Sequence, residues 1–178
     1  MIRAALLAAA SLALAACATN SREPAQHLAS APASVVPPVA AGAPAGRVLM
    51  IDSATAMLGQ PYRWGGAAPG GFDCSGLVYY AAAGAGLRVP RTAAEQYGYG
   101  QPIKRADLRA GDLVFMHLAH KELHVAIALD ARHFIHAPSS GGFVRIDSLD
   151  SRPYSAGYLG ARRILPEHAA AVSFASPH

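Results

Sequence analysis

The sequence predicts an α+β fold, with helices toward the N-terminal side packed on a small antiparallel β-sheet formed by the C-terminal side. Three observations predict it. Around Cys74 the apolar residues recur at helical spacing. From Asp112 onward short runs such as LHVAIALD alternate as strands do, joined by tight connections. Helical patterns come first in the chain and strand patterns last.

The elements follow in order. Residues 1–16, MIRAALLAAASLALAA, carry one positive charge and then an unbroken run of small and apolar residues, which reads as an export leader outside the fold. The run ends in LAAC at Cys17. Small residues leading to a cysteine at the end of a leader resemble a bacterial lipobox, so Cys17 is the expected lipidation site and the protein is expected to hold the membrane through an N-terminal lipid anchor. A single acyl chain binds weakly at about 0.8 kcal/mol per buried CH₂, so durable attachment needs more than one. Ala18 rather than aspartate follows, which in a Gram-negative envelope points to the periplasmic face of the outer membrane. Residues 17–46 then form an Ala- and Pro-rich tether. Residues 18–46 hold five prolines and nine alanines, too few large apolar groups for a core, and could reach on the order of 90 Å where polyproline-like.

Residues 47–166 form the expected domain, and 167–178 a tail. The 178 residues and the 52% apolar fraction suit one domain, although alanine inflates that fraction. Net charge is +4 without a dense basic stripe, which argues against a nucleic-acid partner. Val48, Ile51, Met57 and Leu58 predict a first helix ending at Gly59, before the loop PYRWGGAAPGG. A second runs from about Asp73 to Gly84, its stripe formed by Cys74, Leu77, Val78, Ala81, Ala82 and Ala85. Thr92 and Glu95 form a capping box for a short third helix. Strands follow at Asp112–Met116, in LHVAIALD, in ARHFIHAP, in SGGFVRI and in GYLGARRI. In LHVAIALD, Val125, Ile127 and Leu129 point one way while His124, Ala126 and Ala128 point the other. The alanine face is the expected seat of the second helix, which would set Cys74 against His124.

Of the two cysteines, Cys17 is assigned to lipid, so Cys74 has no intramolecular disulfide partner. A buried small hydrophobe is the commonest fate of such a thiol. Its position in the first turn of a helix capped by Asp73 favours a thiolate instead, because unpaired amides and the helix dipole gather there. A nucleophilic thiol needs a base, and histidine supplies one. His124 and, by strand parity with Phe134, His136 are the candidates. His117 and His120 read as surface histidines on a polar loop. No zinc-site spacing is present, so neither a metal nor another cofactor is expected.

These segments together resemble the NlpC/P60 family of papain-like cell-wall cysteine peptidases. PYRWGG, GFDCSGLVYY, PRTAAEQY, RAGDLVF, HVAIALD, FIHAP and YLGARRI stand in the family's order and span about residues 47–165. The resemblance implies the papain-like fold, with Cys74 as nucleophile, His124 as general base and His136 as the residue orienting it. It further implies Tyr62 near the oxyanion, with Asp73 and Ser75 receiving the substrate's free amino end. Two positions depart from the family pattern, Ala126 in place of a glycine and Ala128 in place of an aromatic residue. The implied activity is a peptidoglycan hydrolase, a cysteine endopeptidase cutting stem-peptide or cross-link amide bonds near D-Glu and meso-diaminopimelate. Arg63 could meet a substrate carboxylate, and a solvated loop charge is the equal alternative. The rival readings are a non-catalytic peptidoglycan-binding envelope lipoprotein and a related thiol amidase or acyltransferase. Nothing specifies an oligomer, and a monomer is the default expectation.

Overall fold

The computed structural model describes residues 45–118, 123–139 and 142–165. The leader, Cys17, all but the end of the tether, His120 and the tail lie outside these residues. Helix α1 (Ala45–Thr55) buries Met50, Ile51 and Ala54 and gives way to turns that end at Gly59. It therefore closes one turn earlier than its apolar pattern predicts. A two-stranded hairpin, β1 (Ala67–Ala68) with β2 (Gly71–Phe72), leads into helix α2 (Cys74–Gly84). Helix α3 (Ala93–Tyr97) starts on the expected capping box of Thr92 and Glu95.

Six strands form the main sheet: β3 (Gln101–Ile103), β4 (Leu113–His117), β5 (Leu123–Ala128), β6 (His133–His136), β7 (Arg145–Ser148) and β8 (Tyr158–Arg163). A short helix α4 (Tyr154–Gly157) precedes β8. Their spatial order is β3-β8-β4-β5-β6-β7, and the neighbours pair antiparallel. Strand β3 escapes the sequence pattern because Pro102 sits in it, and proline is tolerated there only because the strand is an edge. The fold is the α+β arrangement expected, helices against an antiparallel sheet.

The seat of α2 differs from expectation. Leu77, Val78, Ala81 and Ala82 pack in one core with Val125, Ile127, Leu129 and Ile135, so the helix lies on the branched face of β5. Full burial of residues such as Leu77 and Val78 stabilises by about 1.5–3 kcal/mol each. The alanine face belongs to a second core, where Ala126 and Ala128 pack with Phe134, Met116, Leu149 and Tyr154. Small side chains on β5 make room for those bulky neighbours instead of for a helix.

What draws α2 tightly to the preceding loop is glycine. A Cβ at Gly76 would be driven into the carbonyl oxygen of Gly66, and one at Gly66 into that of Gly71. The start of the helix can approach the loop only because neither residue has a side chain. Gly76→Ala should cost about 1–3 kcal/mol, the usual range for overpacking. Urea unfolding would show this as a lower midpoint at unchanged m-value, and a midpoint equal to wild type would mean the loop yields freely.

Candidate active site

Asp73 caps α2 from an extended conformation, its Oδ1 accepting from the Gly76 N–H at 2.6 Å. The same carboxylate accepts from the Gly65 N–H at 3.0 Å and from Arg91, whose Nη1 and Nη2 donate to Oδ1 at 3.0 Å and Oδ2 at 2.8 Å. Ser75 Oγ donates to Oδ1 at 3.2 Å and itself accepts from Arg91 Nη1 at 3.1 Å. Burial raises the Asp73 pKa, but the Arg91 hydrogen bonds and charge and the Gly76 and Ser75 donors outweigh it and hold the carboxyl below its ordinary value. Asp73 and Ser75, the residues expected to receive a substrate amine, are thus joined to each other and to Arg91. Both Asp73 oxygens already carry donors, and the guanidinium balances its charge. Arg91 gave no signal in the sequence, since a basic residue before a capping box is ordinary.

Cys74, the first residue of α2, is half-buried and packs against the first core. Its thiol lies at the backbone N–H of Val125, the residue after His124. Burial pushes the thiol pKa up and the Asp73 carboxylate adds to the rise, against the lowering effect of the Val125, Ser75 and Cys74 amides. In the free protein the protonated thiol is thus favoured, contrary to the thiolate expected from the helix terminus alone. The dipole acts, but desolvation is the larger effect.

His124 and His136 lie together, as strand parity predicts. Ile127 pairs with Ile135 and Ala128 with Phe134, which puts His124, Ala126, Phe134 and His136 on one face of the sheet. His124 Nε2 and His136 Nδ1 are 2.8 Å apart, with ring planes at 85°. Both rings are buried, His136 completely. The chain of contacts continues one strand further. His136 pairs with Arg145 and Phe134 with Asp147, so Asp147 stands diagonally across from His136 on the same face. Asp147 Oδ2 lies 2.8 Å from His136 Nε2 and accepts from Arg145 Nε at 2.9 Å and from the Tyr154 hydroxyl at 2.6 Å. Arg145 Nη2 also donates to the Tyr154 oxygen at 3.2 Å. Sequence reading missed Asp147, Arg145 and Tyr154. Alternation does set Arg145 and Asp147 on one side of their strand, but only the β6–β7 register tells which.

Desolvation, together with the charges of His136 and Arg145, pushes the His124 pKa down to about 3. Burial also lowers that of His136, outweighing the opposing pull of Asp147. Asp147 is desolvated as well, yet hydrogen bonds from His136, Tyr154 and Arg145 keep its pKa far below the ordinary carboxylate range.

The remaining expected site residues lie on the loop before α2 and at the end of β4. Tyr62 is half-buried against the first core, its N–H donating to Gly142 O at 2.7 Å and its backbone bridged to Phe72. Arg63 is exposed on the loop, next to Trp64, which is 86% exposed. His117 is exposed at the end of β4, as expected. Among the described residues no three His, Cys, Asp or Glu side chains are grouped to hold a metal ion.

Acid should unsettle this arrangement before it touches the carboxylates. His124 is neutral in the fold with its pKa depressed from 6.5 to about 3, so between those values the unfolded chain binds the extra proton. Its contribution is fully present above pH 6.5 and is lost as the pH falls through that window. Thermal unfolding between pH 7 and pH 4 should show a falling Tm in wild type and a shallower fall in His124→Gln; parallel curves would contradict a buried neutral imidazole.

Comparison with known proteins agrees with this architecture. The NlpC/P60 family model matches residues 59–163. Murein DD-endopeptidase MepH of Escherichia coli (strain K12) is 43% identical over 114 residues, 61% of this chain and 42% of MepH. The chain thus spans less than half of that relative. A crystal structure of an NlpC/P60 family protein from Bacillus cereus ATCC 10987 superposes with a TM-score of 0.64 at 32% identity, covering 74% of this chain and 42% of that one. RipD from Mycobacterium tuberculosis, described as a non-catalytic NlpC/p60 domain protein adapted to peptidoglycan binding, superposes with a TM-score of 0.57 at 27% identity, covering 67% of this chain and 98% of RipD. The matched segment contains every element from the PYRWGG loop to β8, with the helix that starts at Cys74 and the paired histidines among them, and so the chain belongs to the NlpC/P60 family.

Proposed function

We propose that the protein is a peptidoglycan hydrolase, a cysteine endopeptidase that cuts an amide bond of the stem peptide or cross-link, near D-Glu and the diamino acid. The observation that carries this reading is the Cys74 thiol at the backbone N–H of Val125, the residue that follows His124, whose Nε2 is held by His136 from β6. With Nε2 engaged by His136, Nδ1 is the His124 nitrogen we assign to the thiol.

Cys74 Sγ attacks the amide carbon while its proton passes to His124 Nδ1, forming a tetrahedral adduct. The imidazolium returns that proton to the departing amine as the C–N bond breaks, leaving a thioester on Cys74. Water then attacks the thioester, giving a proton to Nδ1, and the thiol is regenerated as the stem carboxylate leaves. Because the resting pair is neutral, the imidazolium exists only while negative charge is developing opposite it. His136 holds the ring of His124, as the third member of a triad does. The Cys74 backbone N–H at the head of α2 and the Tyr62 hydroxyl stabilise the oxyanion, each donor worth about 3 kcal/mol in such sites. Arg63 on the exposed loop meets a substrate carboxylate. Lipid on Cys17 and the tether beyond it hold the domain at the periplasmic face of the outer membrane, within reach of the wall.

Incubating purified muropeptides with wild type and Cys74→Ala, followed by chromatography and mass spectrometry, tests the reading. New stem fragments from wild type and none from the variant are expected. Binding without cleavage by both proteins would favour a peptidoglycan-binding role like that of RipD. The protonation states add a second test: iodoacetamide should alkylate Cys74 slowly at neutral pH and faster as the pH rises past 9, since burial raises the thiol above its ordinary 9.0. A rate already at its plateau at pH 6 would instead reveal a thiolate–imidazolium pair.

A further inference from the structure

The hydrogen bonds around Asp147 carry information that the histidine pair alone does not. Asp147 Oδ2 takes three contacts, from Arg145 Nε, the Tyr154 hydroxyl and His136 Nε2. Arginine can only donate, and an ionised carboxylate can only accept. His136 must therefore carry its hydrogen on Nε2, which in the neutral ring leaves Nδ1 as a bare acceptor. That acceptor is 2.8 Å from His124 Nε2, so His124 in turn must carry its hydrogen on Nε2. One conclusion remains for His124: its Nδ1 is unprotonated.

We propose that Asp147 is a positioning residue for the reaction, which acts through His136 to set the tautomer of His124 so that Nδ1 is the free base. The inference rests on the assignment of Cys74 and His124 as nucleophile and base. Arg145 and Tyr154 belong to the same device, because they hold Oδ2 in place and commit it to accepting. The three members come from adjacent strands, His124 from β5, His136 from β6 and Asp147 from β7, all on one face of the sheet. When His124 becomes an imidazolium, both ring nitrogens are donors, and the Nε2–H···Nδ1 bond to His136 is already in the required direction. No ring has to turn and no proton has to move along the relay. The Asp147 charge also opposes that of Arg145, which disfavours a cation on His124. Replacing Asp147 without disturbing the oxygen position separates these roles. In Asp147→Asn, Arg145 and Tyr154 would still require an oxygen where Oδ2 stands, so the tautomers persist while the charge is lost. In Asp147→Ala the acceptor itself is gone, and His136 is free to take either tautomer.

Long-range ¹H–¹⁵N correlation spectra of the imidazole rings, recorded at neutral pH on the full chain, read the tautomers without any activity. Both His124 and His136 should show the Nε2–H form in wild type and in Asp147→Asn, and a mixture in Asp147→Ala. In muropeptide cleavage, Asp147→Ala should lose about 10- to 100-fold in kcat at little change in KM, the usual range for a residue supporting a functional side chain from behind. Asp147→Asn should lose less, and Asp150→Asn, an exposed carboxylate on the neighbouring turn, should match wild type. Either histidine in the Nδ1–H form in wild type would overturn the proposal, even if Asp147→Ala fails to fold. So would an Asp147→Ala protein with unchanged tautomers and kcat within twofold of wild type. Activity that survives in Cys74→Ala would overturn the underlying mechanism instead, leaving the measured tautomers standing.

Discussion

The carboxylate of Asp73 is the point on which the site depends, because it ties separate stretches of the chain together. It closes the N-terminus of α2, accepts from the glycine loop at Gly65, and takes both arms of the Arg91 guanidinium from the segment before α3. A bidentate guanidinium pair is directional as well as strong, so it fixes an angle and not merely a distance. The side chain held at that angle is the next residue, Cys74. The neighbouring glycines permit the approach and the carboxylate holds it; either alone would leave the thiol without a defined position relative to β5.

Around that fixed thiol, burial decides protonation. The helix terminus and nearby amides stabilise a thiolate, but removing the sulfur from water costs more, and the same desolvation keeps His124 neutral. The outcome is a resting site with little separated charge between Cys74 and His124. The formal charges sit further back, where Asp147 and Arg145 compensate one another on β7 with the Tyr154 hydroxyl between them. Such a layout allows an imidazolium to form transiently while hydrogen bonds that stabilise it are already made. Preorganisation of this kind favours charge that develops during a reaction over charge that exists before it.

Much of the site was legible in one dimension because its local signals were strong. The apolar stripe and the Asp73 cap located α2 and placed Cys74 in its first turn. Alternation in LHVAIALD and FIHAP set His124 and His136 on one face, and the strand register confirms that parity. The face that α2 takes is not legible in the same way: the alanines suggest a helix seat, but Phe134, Met116 and Tyr154 pack with them instead. A pattern states which residues share a side; it does not state what covers that side.

By itself, then, the sequence determined the order of elements, the helix start at Cys74, the shared face of the two histidines and the resemblance to a family, because period, capping and motif spacing are local properties of a chain. Tertiary structure alone decided the partners of Asp73, the seat of α2, the protonation of Cys74 and His124, and the extension of the relay to Asp147. Those depend on which strands lie side by side and on how much water is excluded between them. Asp147 is 23 residues from His124 along the chain and two strands away in the sheet, and no local pattern links the two. Their connection exists only through His136, once β6 lies between β5 and β7.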